Sequence, residues 1–525
     1  MRALNAKLKW ILVACALILF FVTDGHAHDG DNPGAINGEN GWRSFELVTA
    51  NDSLADFVLG QNYVPGSNSA SGTFAWNSSI HNHWDGLGAF KLDADTMRVY
   101  VNHEGTDDAT ISAVDIDITN LQSWALDFPD ATPWPGPGHV ATRIGNAFSA
   151  VNLEVGGSGR NLSSVPLSRL CSGNVWQADT FGIGRGFADE LFLTGEEDLT
   201  TTNNGGSIWV MDTATDVLYE APDVAPAGGR WENACIIDTG NTQQIALLLS
   251  SDGGTEQLYL YIGTKDPTPG ANFLARNGLA GGQIFLFNPT GSATEFPSSG
   301  SLFGTFSTNT SQPLVEDKLE DVHVNPNNPT QAVVADQTDG VFQLDFNLQF
   351  NSSGQLQPAK STFLFTMLNS SNNGDGLGRP DNVDWSQDGF IYINEDGDGN
   401  DVWQLDPATG QIVRIADGLE TETSGIVDIS DLVGFSAGSI FLTNSYDGNS
   451  VNGDNGSLYM LVSPSASKEV LLGDVNQDGV VNLLDVVPFV DLLAGGGFQD
   501  EADINQDGAV NLLDVGPFID VLSGN

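Results

Sequence analysis

Two segments near the C-terminus repeat one twelve-residue pattern, at 474–485 and at 503–514. Each segment places side-chain or backbone oxygens at positions 1, 3, 5, 7, 9 and 12, with glycine at position 6. This is the spacing of a calcium loop, in which the ligands converge on one ion and glycine permits a sharp turn. The predicted calcium ligands are Asp474, Asn476, Asp478, Val480, Asn482 and Asp485 in the first loop, and Asp503, Asn505, Asp507, Ala509, Asn511 and Asp514 in the second.

An apolar segment with helical spacing follows each loop, at 483–493 and at 512–522. Pro488 and Pro517 fall near the start of these segments, where a missing N–H does least harm to a helix. Two such half EF-hands in tandem resemble a type I dockerin over residues 471–525. The resemblance implies a small α-helical domain folded around two calcium ions, with a cohesin as its partner. A calcium-stabilised module without a cohesin partner is the alternative, because both helices start with Leu-Leu in place of the small polar pair common in dockerins.

Five shorter segments upstream combine carboxylates, cations or a cysteine in ways that could bind metal or phosphate. They are 85–90 with 100–104, 170–173 with 194–198, 229–233, 318–322 and 379–383. The last two share a design, in which a cation precedes a carboxylate, Glu320 or Asp381, and a valine and a strand follow. In a β-propeller the starts of the inner strands line the central channel, so this arrangement would place both carboxylates on the channel axis.

Taken in chain order, these segments resemble PhoX-type alkaline phosphatases, a β-propeller family also called DUF839, over about residues 80–410. The resemblance implies iron and calcium in the propeller channel and the hydrolysis of phosphomonoesters. It also implies that Lys318 and Arg379 face the substrate phosphate. Carboxylate oxygens suit Ca²⁺ and Fe³⁺, whereas a thiolate adds charge and covalency to a bond with iron. The metal ligands implied by the resemblance are Cys171 for iron, and Glu196, Glu232, Glu320 and Asp381 for iron or calcium.

The large region over 28–465 shows no long amphipathic helix pattern and instead repeats short strand–turn–strand units. Examples are 208–212 followed by 217–219, and 402–406 followed by 411–415, which are joined by segments with turn chemistry. Short antiparallel blades arranged radially would bury such strands and leave few open edges. We therefore predict an all-β fold, a β-propeller of about six blades with long loops, and a large β-sandwich is the alternative.

The composition narrows the class of protein. Among 525 residues, 68 are acidic and 18 are basic, which gives a formal net charge of −50. Basic residues are too scarce for a general nucleic-acid binder, and with 40% hydrophobic residues the chain is too apolar to be disordered. Such acidity suits calcium and repels anions at long range. An anionic substrate would therefore need metal ions or a local cationic pocket.

The N-terminus has the pattern of a secretory signal peptide over 1–27. Basic residues precede an apolar run at 10–22, which is too short to span a bilayer comfortably, and Gly25-His26-Ala27 offers a cleavage site. We predict a secreted protein, extracellular or periplasmic, with no transmembrane segment. Cys171 and Cys235 would be the cysteines left after cleavage, and they could pair in an oxidising compartment. A buried, inert Cys235 is the other interpretation.

Together these patterns predict a secreted, metal-dependent phosphoesterase with a dockerin-like tail. A calcium-stabilised propeller that binds or scaffolds without catalysis is one alternative. A calcium-dependent lactonase-like or phytase-like propeller is another, because the segment 380–384 and the strand after it would also suit those enzymes. Bound iron separates the first hypothesis from the other two.

Overall fold

The computed structural model describes most of the chain, in two compact units. The first comprises Met1–Val433 and Ala437–Ala466, and the second Gly434–Ser436 and Ser467–Asn525. The predicted signal peptide and the calcium ligand Asp478 lie outside the described residues. The described residues are 36–49, 55–56, 84–105, 109–127, 140–148, 153–154, 167–197, 206–225, 229–252, 257–309, 314, 318–371, 374, 376–397, 400–418, 422–446, 456–467, 471–476, 480–495, 497–505 and 507–523.

The described part of the first unit is a ring of six β-sheet blades around a central channel. Its first two strands, β1 (Asn37–Gly38) and β2 (Arg43–Thr49), belong to the last two blades. Blade 1 contains β3 (Ala55–Asp56), β4 (Trp84–Lys91), β5 (Thr96–His103), β6 (Thr110–Asp117) and β7 (Ala141–Asn146). Blade 2 contains β8 (Leu153–Glu154), β9 (Gly173–Trp176), β10 (Leu191–Gly195), β11 (Ile208–Asp212) and β12 (Val217–Glu220).

Blades 3 and 4 form one continuous sheet, because their outermost strands pair with each other. Blade 3 contains β13 (Trp231–Ile237), β14 (Gln244–Ser251), β15 (Tyr259–Thr264), β16 (Gln283–Pro289) and β17 (Ser301–Ser307). Blade 4 contains β18 (Leu319–Val324), β19 (Gln331–Asp336), β20 (Gly340–Asn347) and β21 (Thr362–Ser370). The pairing of β17 with β21 covers two edges that would otherwise be open.

Blades 5 and 6 close the ring by using strands from both ends of the unit. Blade 5 contains β22 (Pro380–Trp385), β23 (Ile391–Glu395), β24 (Val402–Asp406) and β25 (Gln411–Asp417). Blade 6 contains β26 (Glu422–Asp428), β27 (Ile440–Tyr446) and β28 (Ser457–Val462). The N-terminal strands β1 and β2 pair with β25 and β28 as the outermost strands of these blades.

Six inner strands, β4, β9, β13, β18, β22 and β26, surround the channel, and each contacts the next around the ring. The ring confirms the predicted propeller of about six blades and excludes a β-sandwich. The two predicted hairpins correspond to β11 with β12 and to β24 with β25. Among the described residues of this unit, helices are short, α1 (Ile118–Asp127) and α2 (Phe273–Arg276).

Adjacent blades pack through aromatic and aliphatic side chains that the inner and middle strands supply. Between blades 1 and 2, the Tyr100 ring lies 5.3 Å from the Phe90 ring and 5.5 Å from the Phe192 ring, measured between centroids. All three side chains are buried in one apolar cluster. Such packing of aromatic and β-branched residues on pleated surfaces is what favours strands here.

The second unit is helical. Each predicted calcium loop leads through a short turn into a helix, α3 (Val486–Gly495) or α4 (Val515–Leu522), and a 3₁₀ turn (Leu483–Asp485) precedes the first. The rings of Phe489 and Phe518 stack with centroids 4.1 Å apart at the centre of its small core. None of the helices in the described part of the chain is long and apolar enough to cross a membrane.

Candidate metal centre

A β-bulge interrupts the inner strand of several blades at the same level, near the strand's N-terminal end. In four strands the bulge contains an acidic residue followed by a small or polar one. A bulge re-aims side chains relative to a regular strand and is frequent beside functional sites. The four pairs are Asp85-Gly86 in β4, Glu232-Asn233 in β13, Glu320-Asp321 in β18 and Asp381-Asn382 in β22.

The acidic residues of these bulges meet a cysteine and two further glutamates at one end of the channel. Cys171 precedes β9, Glu104 follows β5 and Glu197 follows β10. Three groups of possible metal ligands result, and within each group the ligand atoms lie within 4.8 Å of one another. The groups are Asp85, Glu104 and Cys171; Cys171, Glu197 and Glu232; and Glu232, Glu320 and Asp381.

Cys171 and Glu232 each belong to two groups, so the three groups form one continuous cluster. Burial, and then repulsion from neighbouring carboxylates, raises the pKa of Cys171 and of Glu232 well above their ordinary values. The same two causes raise the pKa of Glu104 to about 7. The remaining bulge acids also have raised pKa values, mainly because of burial. The cluster therefore resists carrying its full negative charge unless cations enter it.

Three cationic side chains each stand two residues before a member of this cluster in the sequence. Lys318 Nζ lies 2.6 Å from Asp252 Oδ2 and 2.7 Å from Glu320 Oε1. Arg379 Nη2 donates to Gln337 Oε1 at 2.6 Å. The third cation, Arg169, was not predicted from the sequence.

Arg169 Nη1 lies 3.7 Å from Glu104 Oε1 and 3.8 Å from Glu197 Oε2, so it bridges two of the ligand groups. The side chains of Arg169 and Arg379 are each 48% exposed, which places both guanidinium groups at the solvent-facing rim. Lys318 is less exposed and is held by two carboxylates. The rim can therefore present positive charge to an anion that approaches the cluster.

Four of the five metal ligands predicted from the sequence come together in this cluster: Cys171, Glu232, Glu320 and Asp381. The fifth, Glu196, lies outside the three groups. Its Oε2 accepts a hydrogen bond from Trp209 Nε1 at 2.9 Å, and its Oε1 accepts one from Ser168 N at 3.1 Å.

Sequence reasoning did not assign the three remaining ligands, Asp85, Glu104 and Glu197. Glu197 adjoins Glu196, and two neighbouring glutamates after a strand give no signal of which one turns inward. Asp85 and Glu104 stand in the first of the five segments, but their meeting with Cys171 depends on strand packing. Gly86 allows that approach, because a Cβ there would lie 2.5 Å from the Ser172 backbone.

Cys171 and Cys235 are both free thiols in the structure. Cys235 is buried in β13 within the apolar core, and Cys171 lies in the ligand cluster. The pairing that the sequence left open is therefore absent, and the thiol of Cys171 remains available to a metal.

In both calcium loops of the second unit, the carboxylate predicted as the last ligand accepts hydrogen bonds from backbone amides of its own loop. In the first loop, the buried Asp485 carboxylate accepts hydrogen bonds from Asn482 N at 2.7 Å and Asn476 N at 3.0 Å. In the second loop, Asp514 accepts from Asn511 N at 2.8 Å and from a second loop amide. The last ligand of each loop is thus held over the loop backbone in the same way, as expected of a structural repeat.

The comparisons with known proteins agree with both units. Residues 472–517 match the family model of the dockerin type I domain. Pseudomonas fluorescens PhoX in complex with vanadate, a transition state analogue, matches 82% of this chain and 96% of its own at a TM-score of 0.53 and 12% identity. The propeller has the PhoX fold. The predicted resemblances are thereby confirmed for the fold of the large unit and for the dockerin domain.

Two further propellers match at lower TM-scores. The Dos1 propeller matches at a TM-score of 0.31 and 10% identity, over 72% of this chain and 68% of its own. The β-propeller domain of Myceliophteria thermophila Cps50 (Swd1) matches at a TM-score of 0.32 and 9% identity, over 72% of this chain and 96% of its own. No curated protein sequence matches this chain.

Proposed function

We propose that this protein is an exported, metal-dependent phosphomonoesterase whose dockerin domain attaches it to a cohesin. One observation carries the catalytic part of the proposal. Cys171 and Glu232 link three groups of metal ligands into one cluster, and cationic side chains stand directly beside it. The PhoX fold and the signal-peptide pattern support the proposal.

The chemistry of the ligands fits metal ions. The cluster comprises six carboxyl groups and one thiol. Among the described residues, Lys318 and Arg169 are the cations that form ion pairs with these groups. Buried charge on this scale requires compensation by cations. The two groups that share Cys171 suit iron, because a thiolate favours transition metals, and the all-oxygen group of Glu232, Glu320 and Asp381 suits calcium.

When bound, such ions supply Lewis acidity toward phosphoryl oxygens. The protein's own contribution is to bind and orient the phosphate. Lys318 is fixed by Asp252 and Glu320 and offers a point charge. Arg379 is held by Gln337 and by Asp396, whose Oδ2 lies 3.3 Å from Arg379 Nη2, and its side chain is 48% exposed, so its planar guanidinium can reach an incoming phosphate. These local cations offset the repulsion that the strongly acidic chain exerts on an anionic substrate.

The dockerin domain supplies a surface for its partner. Leu483 and Leu484 at the start of the first repeat's helical segment are 80% and 67% exposed, and Leu512 and Leu513 in the second repeat are 81% and 67% exposed. Large apolar side chains so exposed mark interaction sites. We infer that the cohesin contacts this apolar pair in either repeat, in place of the small polar pair common in dockerins.

The proposed activity is tested on one sample of the full chain, by elemental analysis and by turnover of p-nitrophenyl phosphate. We expect iron, more calcium than the two dockerin loops can hold, and turnover. Cys171→Ser should lose iron and turnover while its unfolding transition stays close to that of the wild type. Cys235→Ser, which changes the other free thiol, is the matched control. Calcium without iron or turnover would instead favour a binding module or a lactonase-like enzyme.

A further inference from the structure

A closed ring of hydrogen bonds joins five inner strands and the segment just before the sixth, β9, at the level of the bulges. Asn233 Nδ2 in β13 donates to Asp321 Oδ1 in β18, whose other oxygen accepts from Val383 N in β22 at 3.0 Å. Gly425 N in β26 then donates to Asn382 Oδ1 in β22 at 2.7 Å. The chain of contacts therefore passes from blade to blade without a gap over half of the ring.

The other half of the ring includes two metal-ligand carboxylates. Ser424 Oγ in β26 donates to Asp85 Oδ1 in β4. Gly86 N donates to the carbonyl of Cys171 at 2.7 Å, and the adjacent Ser172 Oγ donates to Glu232 Oε1 in β13. Each hydroxyl that orients a ligand is thus itself part of the ring.

Asn382 crosses this ring. Its Nδ2 donates to Ser172 Oγ at 2.9 Å, which joins β22 to the segment just before β9, on the opposite side of the channel. The amide orientation follows from its partners, because Gly425 N is a donor and must face the oxygen. Asn382 is 2% exposed and Ser172 is fully buried, so water does not compete for their contact.

The donor direction of these hydrogen bonds determines which hydroxyl hydrogens point at the Glu232 and Asp85 carboxylates. A serine hydroxyl has one hydrogen to donate. Because Ser172 Oγ accepts from Asn382, its own hydrogen is directed to the Glu232 carboxylate. On the other side, the Asn382 oxygen accepts from Gly425 N in the β26 bulge and from Ser424 Oγ at 3.0 Å. Ser424 Oγ also donates to Asp85, so its one hydrogen is shared between Asn382 and Asp85.

We propose that Asn382 is a positioning residue of the metal centre. It orients Glu232 through Ser172, and it supports the bulge from which Ser424 orients Asp85. Glu232 and Asp85 belong to different ligand groups, so one amide couples groups that share no carboxylate. Hydrogen bonds to ligating carboxylates commonly affect metal affinity by about 10- to 100-fold. This inference rests on the metal centre of the proposed function, and not on the substrate.

Asn382→Asp is the sharpest test, because it keeps the shape and the oxygen that Gly425 N contacts but removes the donor to Ser172. The Ser172 hydroxyl would then donate to the new carboxylate and turn away from Glu232. Ser172→Ala removes the same orientation more simply, and Ser172→Thr restores a hydroxyl. Asn369→Asp is the matched control, since Asn369 is a buried asparagine on the outer strand β21.

The measurement is the iron and calcium retained per full-length chain after dialysis against increasing chelator, with calcium in the dockerin loops as an internal reference. We expect Asn382→Asp and Ser172→Ala to release metal at about 10- to 100-fold lower chelator concentration, and Ser172→Thr and Asn369→Asp to behave like the wild type. The double variant Ser172→Ala/Asn382→Asp should be little worse than Ser172→Ala alone, because both act through one hydroxyl.

Wild-type retention by Asn382→Asp and Ser172→Ala would overturn the positioning role, whatever the enzyme hydrolyses. A wild-type chain that keeps its metals but hydrolyses no phosphomonoester would count against the proposed activity alone. A wild-type chain that retains no metal beyond the two loops would overturn both.

Discussion

Glu232→Gln should damage the metal centre more than any other carboxylate substitution, because Glu232 belongs to two of the three ligand groups. Glutamine keeps the size of the side chain and one oxygen, so the propeller should fold. We expect the variant to lose the ions of both groups. Glu320→Gln, which changes a ligand of one group, should lose one ion and keep the others.

The size of the effect follows from the geometry. Ligand atoms within a group lie within 4.8 Å of one another, so an ion among them is closer than that to each carboxylate. At 4.8 Å and an effective dielectric constant of about 20, two unit charges attract by about 3.5 kcal/mol, and a divalent ion gains about twice that. Relief of repulsion among the remaining carboxylates offsets part of this loss. A net loss of about 3 kcal/mol corresponds to more than 100-fold weaker retention of each ion.

The assay is metal content per chain against chelator concentration, with Glu220→Gln as the matched control. Glu220 is also buried, but it lies on β12, outside the ligand groups, where its Oε1 accepts from Ser207 Oγ at 2.9 Å. Equal retention by Glu232→Gln and Glu220→Gln would refute the assignment of Glu232 as a shared ligand.

Three further predictions concern the metal-free state, the strand packing and the tail. Burial raises the pKa of Glu104 to about 7 and of Glu422 to about 8, so the folded metal-free chain holds protons that the unfolded chain releases above about pH 4.5. Its free energy of unfolding should therefore fall as the pH rises from 5 to 8, and a rise in denaturant unfolding curves would contradict this. Gly86→Ala should cost about 1–3 kcal/mol and weaken metal retention, because its Cβ would meet the backbone before β9 at 2.5 Å; an unchanged melting temperature and metal content would refute it. Changing Leu483, Leu484 and the matching pair of the second repeat to serine should weaken calorimetric binding of a type I cohesin at least tenfold, with calcium content unchanged, and undiminished binding would exclude this face.

Much of the fold could be predicted because it depends on local patterns. The hairpins β11–β12 and β24–β25 follow from short apolar runs around turn residues, and a ring of blades is the arrangement that buries many such strands. The calcium loops follow from spacing alone, since their ligands lie within twelve consecutive residues. The way in which β1 and β2 complete blades 5 and 6 could not be predicted, because pairing across more than 370 residues has no local signal.

The candidate metal centre also has one part that local sequence patterns predict and another that depends on long-range strand packing. By itself the sequence determined that Cys171, Glu232, Glu320 and Asp381 were candidates, since each stands in a short segment with a recognisable resemblance. Only the tertiary structure decided that Glu197, and not Glu196, joins them, and that Asp85 and Glu104 complete the cluster. For Asp85 the physical reason is that a bulge re-aims the side chain, and a bulge exists only when the strand pairs with its neighbour. Glu104 and Glu197 follow β5 and β10, so only the packing of these strands brings their side chains to the cluster.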